Sequence, residues 1–331
     1  MTDNAYDVLG IGNAIVDVLS RVDDAFLAAE GLVKGTMRLV DDAEAERLYD
    51  AMGPAVEVSG GSVANTMAGI ASFGGVAAFI GRVKNDQLGE VFTHDIRAAG
   101  VAYDTPAAGT GPATARCLVM VTPEGERTMN TYLGASVALS PDDIDPEVIA
   151  AAAVTYLEGY LWDPPGAKAA FLKAARSARA AGRLTALSLS DPFCVERHRE
   201  SFRDLIGSGI DIVLANEAEI TSLYRVETFD EALQAVRTEC KLAVLTRSAA
   251  GSVIVEGDEV HVVEAVKVPG VVDATGAGDL FAAGFLFGYT RGRDLASCAR
   301  LGALAAAEVI SHIGARPQLP LAKLAAQAGL L

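Results

Sequence analysis

The sequence predicts an α/β fold: a mostly parallel sheet covered by helices on both faces, with a small β-sheet acting as a lid. Beyond Ala150, short β-branched runs alternate with long Ala-rich segments, the order of strands and helices in a parallel sheet. In the first third, extended runs follow one another without helices between them, so they cannot all join that sheet. Hydrophobic residues make up 51% and aromatics 6% of the 331 residues, enough for a large core of Ala, Val, Leu and Ile.

Tyr6–Gly12 reads as a strand that enters a second extended stretch, Asn13–Val22. Thr36–Val40, Ala115–Val121 and Thr128–Leu133 read as further lid strands, the last following a turn at Glu124-Gly125. Thr66–Phe73 reads as helix, closed by Gly74-Gly75. Strands follow at Val154–Tyr160, Leu184–Ser190, Ile210–Ala215 and Leu242–Thr246. Between them lie helices over Gly166–Ala181, around Phe202–Ile206 and over Phe229–Cys240. Val253–Glu256 and Val260–Val266, joined across Gly257-Asp258, predict a hairpin at one sheet edge. Leu280–Tyr289 is an apolar helical run. No Pro- or Ser-rich linker and no repeat interrupts the chain. It reads as a single domain over 1–331, with lid strands at about 13–22, 36–40 and 115–133.

The net charge of −16 argues against a surface that holds nucleic acid through clustered Lys and Arg. A nest of backbone N–H groups can still hold a phosphate locally. Cys117, Cys194, Cys240 and Cys298 lie far apart and form no C-x-x-C, so neither a disulfide framework nor a zinc site is expected. With no basic leader before the first apolar run and no long charge-free apolar stretch, a cytoplasmic protein without a membrane partner is expected.

The segment Asp273-Ala274-Thr275-Gly276-Ala277-Gly278-Asp279 opens the late apolar helix. Small residues there let a ligand approach the backbone, and free N–H groups with the helix dipole favour negative charge. Asp279 has two readings: a carboxylate that complements the helix start, or a base that takes a proton from an attacking hydroxyl. This segment resembles the C-terminal signature of the PfkB (ribokinase-like) family of carbohydrate and nucleoside kinases. Ala274 departs from the Thr that many members carry. The resemblance implies a ribokinase-like three-layer sandwich, ATP as phosphoryl donor, Asp279 as base and Gly276, Ala277 and Gly278 as the anion hole. Asn216-Glu217-Ala218-Glu219 resembles the family's N-x-x-E motif, in which Asn216 and Glu219 help to hold Mg²⁺ through water; the alternative is a capping Asn beside surface acids. Thr246-Arg247-Ser248-Ala249-Ala250-Gly251 resembles the nucleotide-binding turn, with Thr246, Arg247 and Gly251 as nucleotide-side residues; Arg247 departs from the small or apolar residue often found there. Asp273 and Thr275 stand where some relatives bind a monovalent cation such as K⁺, a pair that turn chemistry explains equally well.

Gly10-Ile11-Gly12-Asn13-Ala14-Ile15-Val16-Asp17 contains a G-x-G, but Ile15 stands where a dinucleotide fingerprint needs its third glycine. Asn13 and Asp17 suit a vicinal diol instead, since an amide donates and accepts while a carboxylate accepts twice. In Gly60-Gly61-Ser62-Val63-Ala64-Asn65, Ser62 reads as a plain N-cap; the family resemblance makes Gly60, Gly61 and Asn65 the other wall of a sugar site. Arg127, in Glu124-Gly125-Glu126-Arg127-Thr128, is either a solvated turn residue or, by resemblance to nucleoside kinases, a contact to the transferring phosphoryl group. The form of Gly10–Asp17 is closest to adenosine kinases, and Tyr156–Tyr160 and Ser190–Phe193 resemble bacterial proteins grouped with them. The first expectation is therefore phosphorylation of adenosine to AMP, with Leu133, Phe193 or Leu39 as walls for the base. A kinase of a free sugar (ribose, fructose or a related ketose) is the second, and a non-catalytic nucleoside- or sugar-binding protein is an alternative of another class. Oligomeric state stays open between a monomer and a homodimer through the lid.

Overall fold

The computed structural model describes residues 4–331. Its strands are β1 (Tyr6–Ile11), β2 (Ile15–Arg21), β3 (Met37–Leu39), β4 (Ala55–Gly60), β5 (Ala77–Ile80), β6 (Val101–Ala102), β7 (Ala115–Val121), β8 (Arg127–Tyr132), β9 (Ala152–Glu158), β10 (Leu184–Ser188), β11 (Ile212–Asn216), β12 (Leu242–Thr246), β13 (Ser252–Glu256) and β14 (Glu259–Val263). The helices are α1 (Asp24–Ala29), α2 (Asp42–Ala51), α3 (Ser62–Ser72), α4 (Gln87–Ala98), α5 (Pro146–Ala150), α6 (Pro165–Ala180), α7 (Pro192–Gly209), α8 (Glu217–Tyr224), α9 (Phe229–Glu239), α10 (Ala277–Thr290), α11 (Leu295–Val309) and α12 (Leu321–Gln327).

A nine-stranded sheet runs β14-β13-β12-β11-β10-β9-β1-β5-β6, parallel from β12 to β6 and antiparallel at the β13–β14 edge. Successive residues of a strand face opposite sides, and here both sides are dry. Val8 packs into a core shared with α3, α10 and α11, whereas Leu9 and Ile11 pack into a second core under α6, α7 and α9. The result is the expected three-layer α/β sandwich. Strand order reverses where β1 lies between β9 and β5, and the connecting helices change faces at the same place. The carboxyl ends of β1 and β9 there form the crevice in which open α/β sheets bind ligands.

The second sheet has five strands in the order β3-β8-β7-β2-β4. Val16, Val18, Leu118 and Met120 on one of its faces are sealed by Leu27 of α1, Leu48 of α2 and Phe92 and Ile96 of α4. Ile15, Leu19, Cys117, Val119, Val121 and Met129 form a small apolar cluster on the other.

Several sequence expectations shift. The run Tyr6–Gly12 and the stretch after it divide between the sheets: β1 joins the large one, and β2, from Ile15, the small one. β4, β5 and β6 were not expected, because their apolar runs are short and abut glycines. The small-sheet strands also do not follow one another without helices: α1 lies between β2 and β3, and α2 between β3 and β4, each short and capped by an aspartate, Asp23 and Asp41. The strands expected over Val154–Tyr160 and Leu184–Ser190 end at Glu158 and Ser188, where the chain turns at the crevice. Arg127 opens β8 rather than lying in the turn. Ser62 is not the N-cap of α3: Gly61 occupies that position, with no side-chain cap, and the Ser62 hydroxyl points elsewhere.

Candidate active site

The loop before α10 ends on Gly276, its N-cap, in the left-handed region at φ 80. A Cβ there would lie 2.8 Å from Ala315 Cα, so only glycine fits. The Ala277 N–H bonds back to Ala274 O, but Gly278 and Asp279 are at the helix start, where N–H groups have no intrahelical carbonyl to meet. Gly278 is exposed, and a Cβ on it would touch nothing within 4 Å. A bare, positively polarised helix end thus faces open space.

Asp279 stands on this first turn, half-buried. Its carboxylate accepts from Ser62 Oγ at 2.6 Å and Asn65 Nδ2 at 3.1 Å, both on α3. Burial pushes its pKa up to about 6, opposed by those two hydrogen bonds and the Arg316 charge. At neutral pH the group is therefore ionised yet close to the point of taking a proton.

The opposite wall is the end of β4. A Cβ on Gly60 would fall 2.4 Å from Asp17 Oδ2, and one on Gly61 (φ 100) would fall 2.2 Å from Asn13 O. The two glycines let Asn13, Asp17 and Asn65 converge. Asp17 projects from β2 beside Cys117 of β7, and burial raises its pKa to about 6 against the pull of Arg316 and Arg127. Asn13, only 2% exposed, is already engaged: its Nδ2 donates to Glu158 Oε1 at 2.7 Å and its Oδ1 accepts from Ser136 Oγ at 2.9 Å. Glu158, at the end of β9, also accepts from Val63 N at 3.0 Å, and burial raises its pKa to about 7. Asn13 is thus a braced element of the crevice floor.

Arg127 reaches from β8 to the loop before α10. It pairs with Asp273 at 2.7 Å and donates to Thr275 Oγ1 at 3.3 Å. Asp273 also accepts from the N–H groups of Thr275 (3.0 Å) and Gly314 (2.8 Å), so both of its carboxylate oxygens are engaged. Asn216 and Glu219 form a reciprocal capping box on α8: Glu219 N donates to Asn216 Oδ1 and Asn216 N to Glu219 Oε2, each at 2.9 Å, and Asn216 Nδ2 donates to Glu219 Oε1 at 2.6 Å. Burial raises the Glu219 pKa to about 7. One amide and one buried carboxylate at the crevice edge fit Mg²⁺ held through its waters, not by direct coordination. No group of three or more His, Cys, Asp or Glu that could hold a metal occurs among the described residues.

Thr246 ends β12, and Gly251 (φ 88) closes the turn by accepting Arg247 N–H at 2.8 Å. Arg247 itself spans to Glu217 at 3.1 Å and lies 4.1 Å over the Phe229 ring, a brace between α8 and α9. Of the candidate base walls, Leu39 and Leu133 lie on the small-sheet side, whereas Phe193 is on α7 and 72% exposed.

The structure therefore brings Asp279, Asn65, Gly60, Gly61, Asp17 and Asn13 to one crevice. Arg127, Asp273 and Thr275 meet beside the helix start, and Asn216, Glu219, Thr246 and Gly251 lie at the ends of β11 and β12. Sequence reasoning missed Glu158, Ser136, the functional contact of Ser62, and Arg316, whose Nε donates to Asn65 Oδ1 at 2.8 Å. Arg316 sits in a Gly/Pro-rich loop, a turn signal without a chemical motif, and its partner is remote in sequence.

Comparison with known proteins agrees with this architecture. The model of the pfkB family of carbohydrate kinases matches residues 36–322. The solved adenosine kinase from Sinorhizobium meliloti is 57% identical with a TM-score of 0.91, covering 98% of this chain and 99% of its own. The probable sugar kinase protein from Rhizobium etli CFN 42 is 54% identical with a TM-score of 0.92, covering 99% and 100%. The adenosine kinase of Saccharomyces cerevisiae is 26% identical over 95% of this chain and 97% of its own. The chain belongs to the pfkB family of carbohydrate kinases.

Proposed function

We propose that this chain is an adenosine kinase, moving the γ-phosphoryl group of ATP to the 5′-hydroxyl of adenosine to give AMP and ADP. The observation that carries the reading is the Asp279 carboxylate, poised beside a bare helix start and held by Ser62 and Asn65 of the opposite wall. The likeness to a Sinorhizobium meliloti adenosine kinase over nearly the whole chain selects the acceptor.

In this mechanism adenosine lies between β2 and the end of β4, its ribose hydroxyls toward Asp17 and Asn65. The terminal phosphate of ATP lies over Gly276, Ala277 and Gly278, where the helix dipole and the N–H groups of Gly278 and Asp279 meet the charge that develops on its oxygens. Asp279 accepts the 5′-hydroxyl proton as that oxygen attacks phosphorus, and the bond to the leaving ADP oxygen breaks. Arg127 leaves or shares Asp273 to meet the equatorial oxygens with its planar fork. Asn216 and Glu219 would hold the waters of a Mg²⁺ ion, which supplies charge neutralisation at the phosphates when bound. A monovalent cation beside Asp273 and Thr275 would compete with Arg127 for a carboxylate already neutralised. The carboxylates of Asp17, Asp95 and Asp279 around the crevice oppose an anionic acceptor and favour a neutral polyol. Closure of the small sheet over the bound substrates would exclude water and suppress hydrolysis of ATP.

A kinase of a free sugar is the second reading, favoured by the likeness to the probable sugar kinase of Rhizobium etli. ADP release measured across adenosine, inosine, guanosine, ribose and fructose separates them. Adenosine should give the highest kcat/KM. Preference for a free ketose would replace adenosine while keeping the kinase, and no acceptor-dependent ADP release from any of the five would leave a non-catalytic binding protein.

A further inference from the structure

The loop after α11 enters the acceptor wall from the far end of the chain. Glu308 Oε1 holds it by accepting from Gln318 N and Leu319 N, each at 2.9 Å. Asp273 Oδ2 holds it again through Gly314 N at 2.8 Å, and Ala315 packs on Gly276. Between these anchors Arg316 projects into the crevice. Its Nε donates to Asn65 Oδ1 at 2.8 Å and its Nη2 to Ser59 Oγ at 3.0 Å. Ser59 in turn donates to Asp95 Oδ2 from both N (2.7 Å) and Oγ (2.6 Å).

An amide has two faces, and the face Asn65 offers to Asp279 is set by which atom Arg316 takes. With Oδ1 held by the guanidinium, only Nδ2 can turn to the carboxylate. Without it, Asn65 is free to flip and to set an oxygen against Asp279. The guanidinium also bonds neutral partners while the carboxylates of Asp95, Asp17 and Asp279 surround it. A cation so placed steadies several acids at once, and a planar fork locks two neighbours in orientation, which an ammonium cannot do equally well.

We propose that Arg316 is a positioning residue of phosphoryl transfer: it fixes the Asn65 amide so that its N–H faces the Asp279 carboxylate, and it supplies the positive charge of the acceptor wall. The proposal rests on the reading of Asp279 as base. Because Asp273 anchors the same loop, the anion-binding turn and the acceptor wall are built as one unit through Arg316.

The test is steady-state kinetics of Arg316→Met, which keeps the length of the stem, against pH. The charged groups that act on Asp279, Arg316 or their neighbour Asp17 are Asp17, Glu158, Glu219, Asp95 and Arg127, and of these Asp17, Glu158 and Glu219 share the pH range of the acid limb. Loss of the cation and of the oriented N–H should raise the acid limb of kcat/KM by about one pH unit. It should lower kcat by about 10- to 100-fold, with the KM for ATP nearly unchanged. Millimolar ethylguanidinium should restore part of the lost turnover. Arg316→Lys keeps a cation but not the fork, so its acid limb should stay near the wild-type position while kcat falls; it carries the test if the methionine variant does not fold. A folded variant with wild-type kcat and acid limb overturns the proposal. Asp279→Asn is run in parallel: if it is inactive while Arg316→Met is normal, only Arg316 loses its role. Near-normal turnover of Asp279→Asn removes both readings.

Discussion

A single carboxylate, Asp279, decides whether this site is a catalyst or a binding pocket. Its environment opposes two effects: burial pushes proton affinity up, while Ser62, Asn65 and Arg316 pull it down, and the balance lies at about 6. A base must be deprotonated to act, so activity should rise with pH through about 6 and level off above it. Asp17 also titrates at about 6 and feels Asp279, so the observed limb belongs to the pair. Asp279→Asn keeps the size and most contacts but removes the acceptor for the proton. Turnover should fall by about 10²- to 10⁴-fold with ATP binding retained, as checked by ADP release and by calorimetric titration with ATP. A variant with near-normal kcat would make Asp279 a helix-start acid and nothing more.

At the scale of the element, the start of α10 separates what folding needs from what phosphate needs. Gly276 is required by its own backbone: φ is 80 and Ala315 blocks any side chain. Gly278 is helical and open, so alanine there should fit the free protein and add about 0.5–1 kcal/mol of stability from reduced chain entropy. The same methyl group would project into the space assigned to the transferring phosphate. Gly278→Ala should therefore raise the thermal midpoint slightly while raising the KM for ATP and lowering kcat. Unchanged kinetics would move the phosphate off this turn. Such elements were legible to different degrees. Leu242–Thr246 was read to its end residues, because it is a short apolar run of strand length set between a helical segment and the turn at Arg247–Gly251. The glycine-rich helix start was legible because its chemistry is local. β4 and β5 were not, since a short apolar run beside glycines has no period of its own and becomes a strand only through neighbours remote in sequence. Ser62 looked like a cap for the same reason: only the approach of α10, far along the chain, shows its hydroxyl turning to Asp279.

Across the whole molecule, the crevice is lined by acids whose proton affinity burial raises, and no sequence pattern announces this. Asn13 was legible as a site residue, but its bracing by Glu158 and Ser136 depends on β1, β9 and the end of β8 meeting in space. Glu158 has its pKa raised from 4.5 to about 7 and is 1% exposed; Glu219 is raised to the same level. The sign follows from proton counts. Between about pH 4.5 and 7 the folded chain holds protons that the unfolded chain has released, so stability falls as pH rises through that window and is flat above it. For Glu158 alone the difference is on the order of 3 kcal/mol. Exposed acids with lowered values, such as Glu44 at about 2, act only below this range, whereas Asp17 and Asp279, raised to about 6, add to the same fall at the acidic end of the interval from about pH 5 to 8. The ligand-free protein should accordingly show a higher thermal midpoint at the acidic end of that interval than at the alkaline end. Glu158→Gln should flatten the curve by holding its alkaline end up. The amide oxygen can still accept from Val63 N, and its NH₂ can donate to Asn13 once that side chain flips. Ser136 Oγ can then accept from Asn13 and give its single proton to Leu133 O. A wild-type midpoint that rises from pH 5 to 8, or a Glu158→Gln variant that tracks it in parallel, would show that Glu158 is ionised in the folded protein and that the crevice floor is built around a charge.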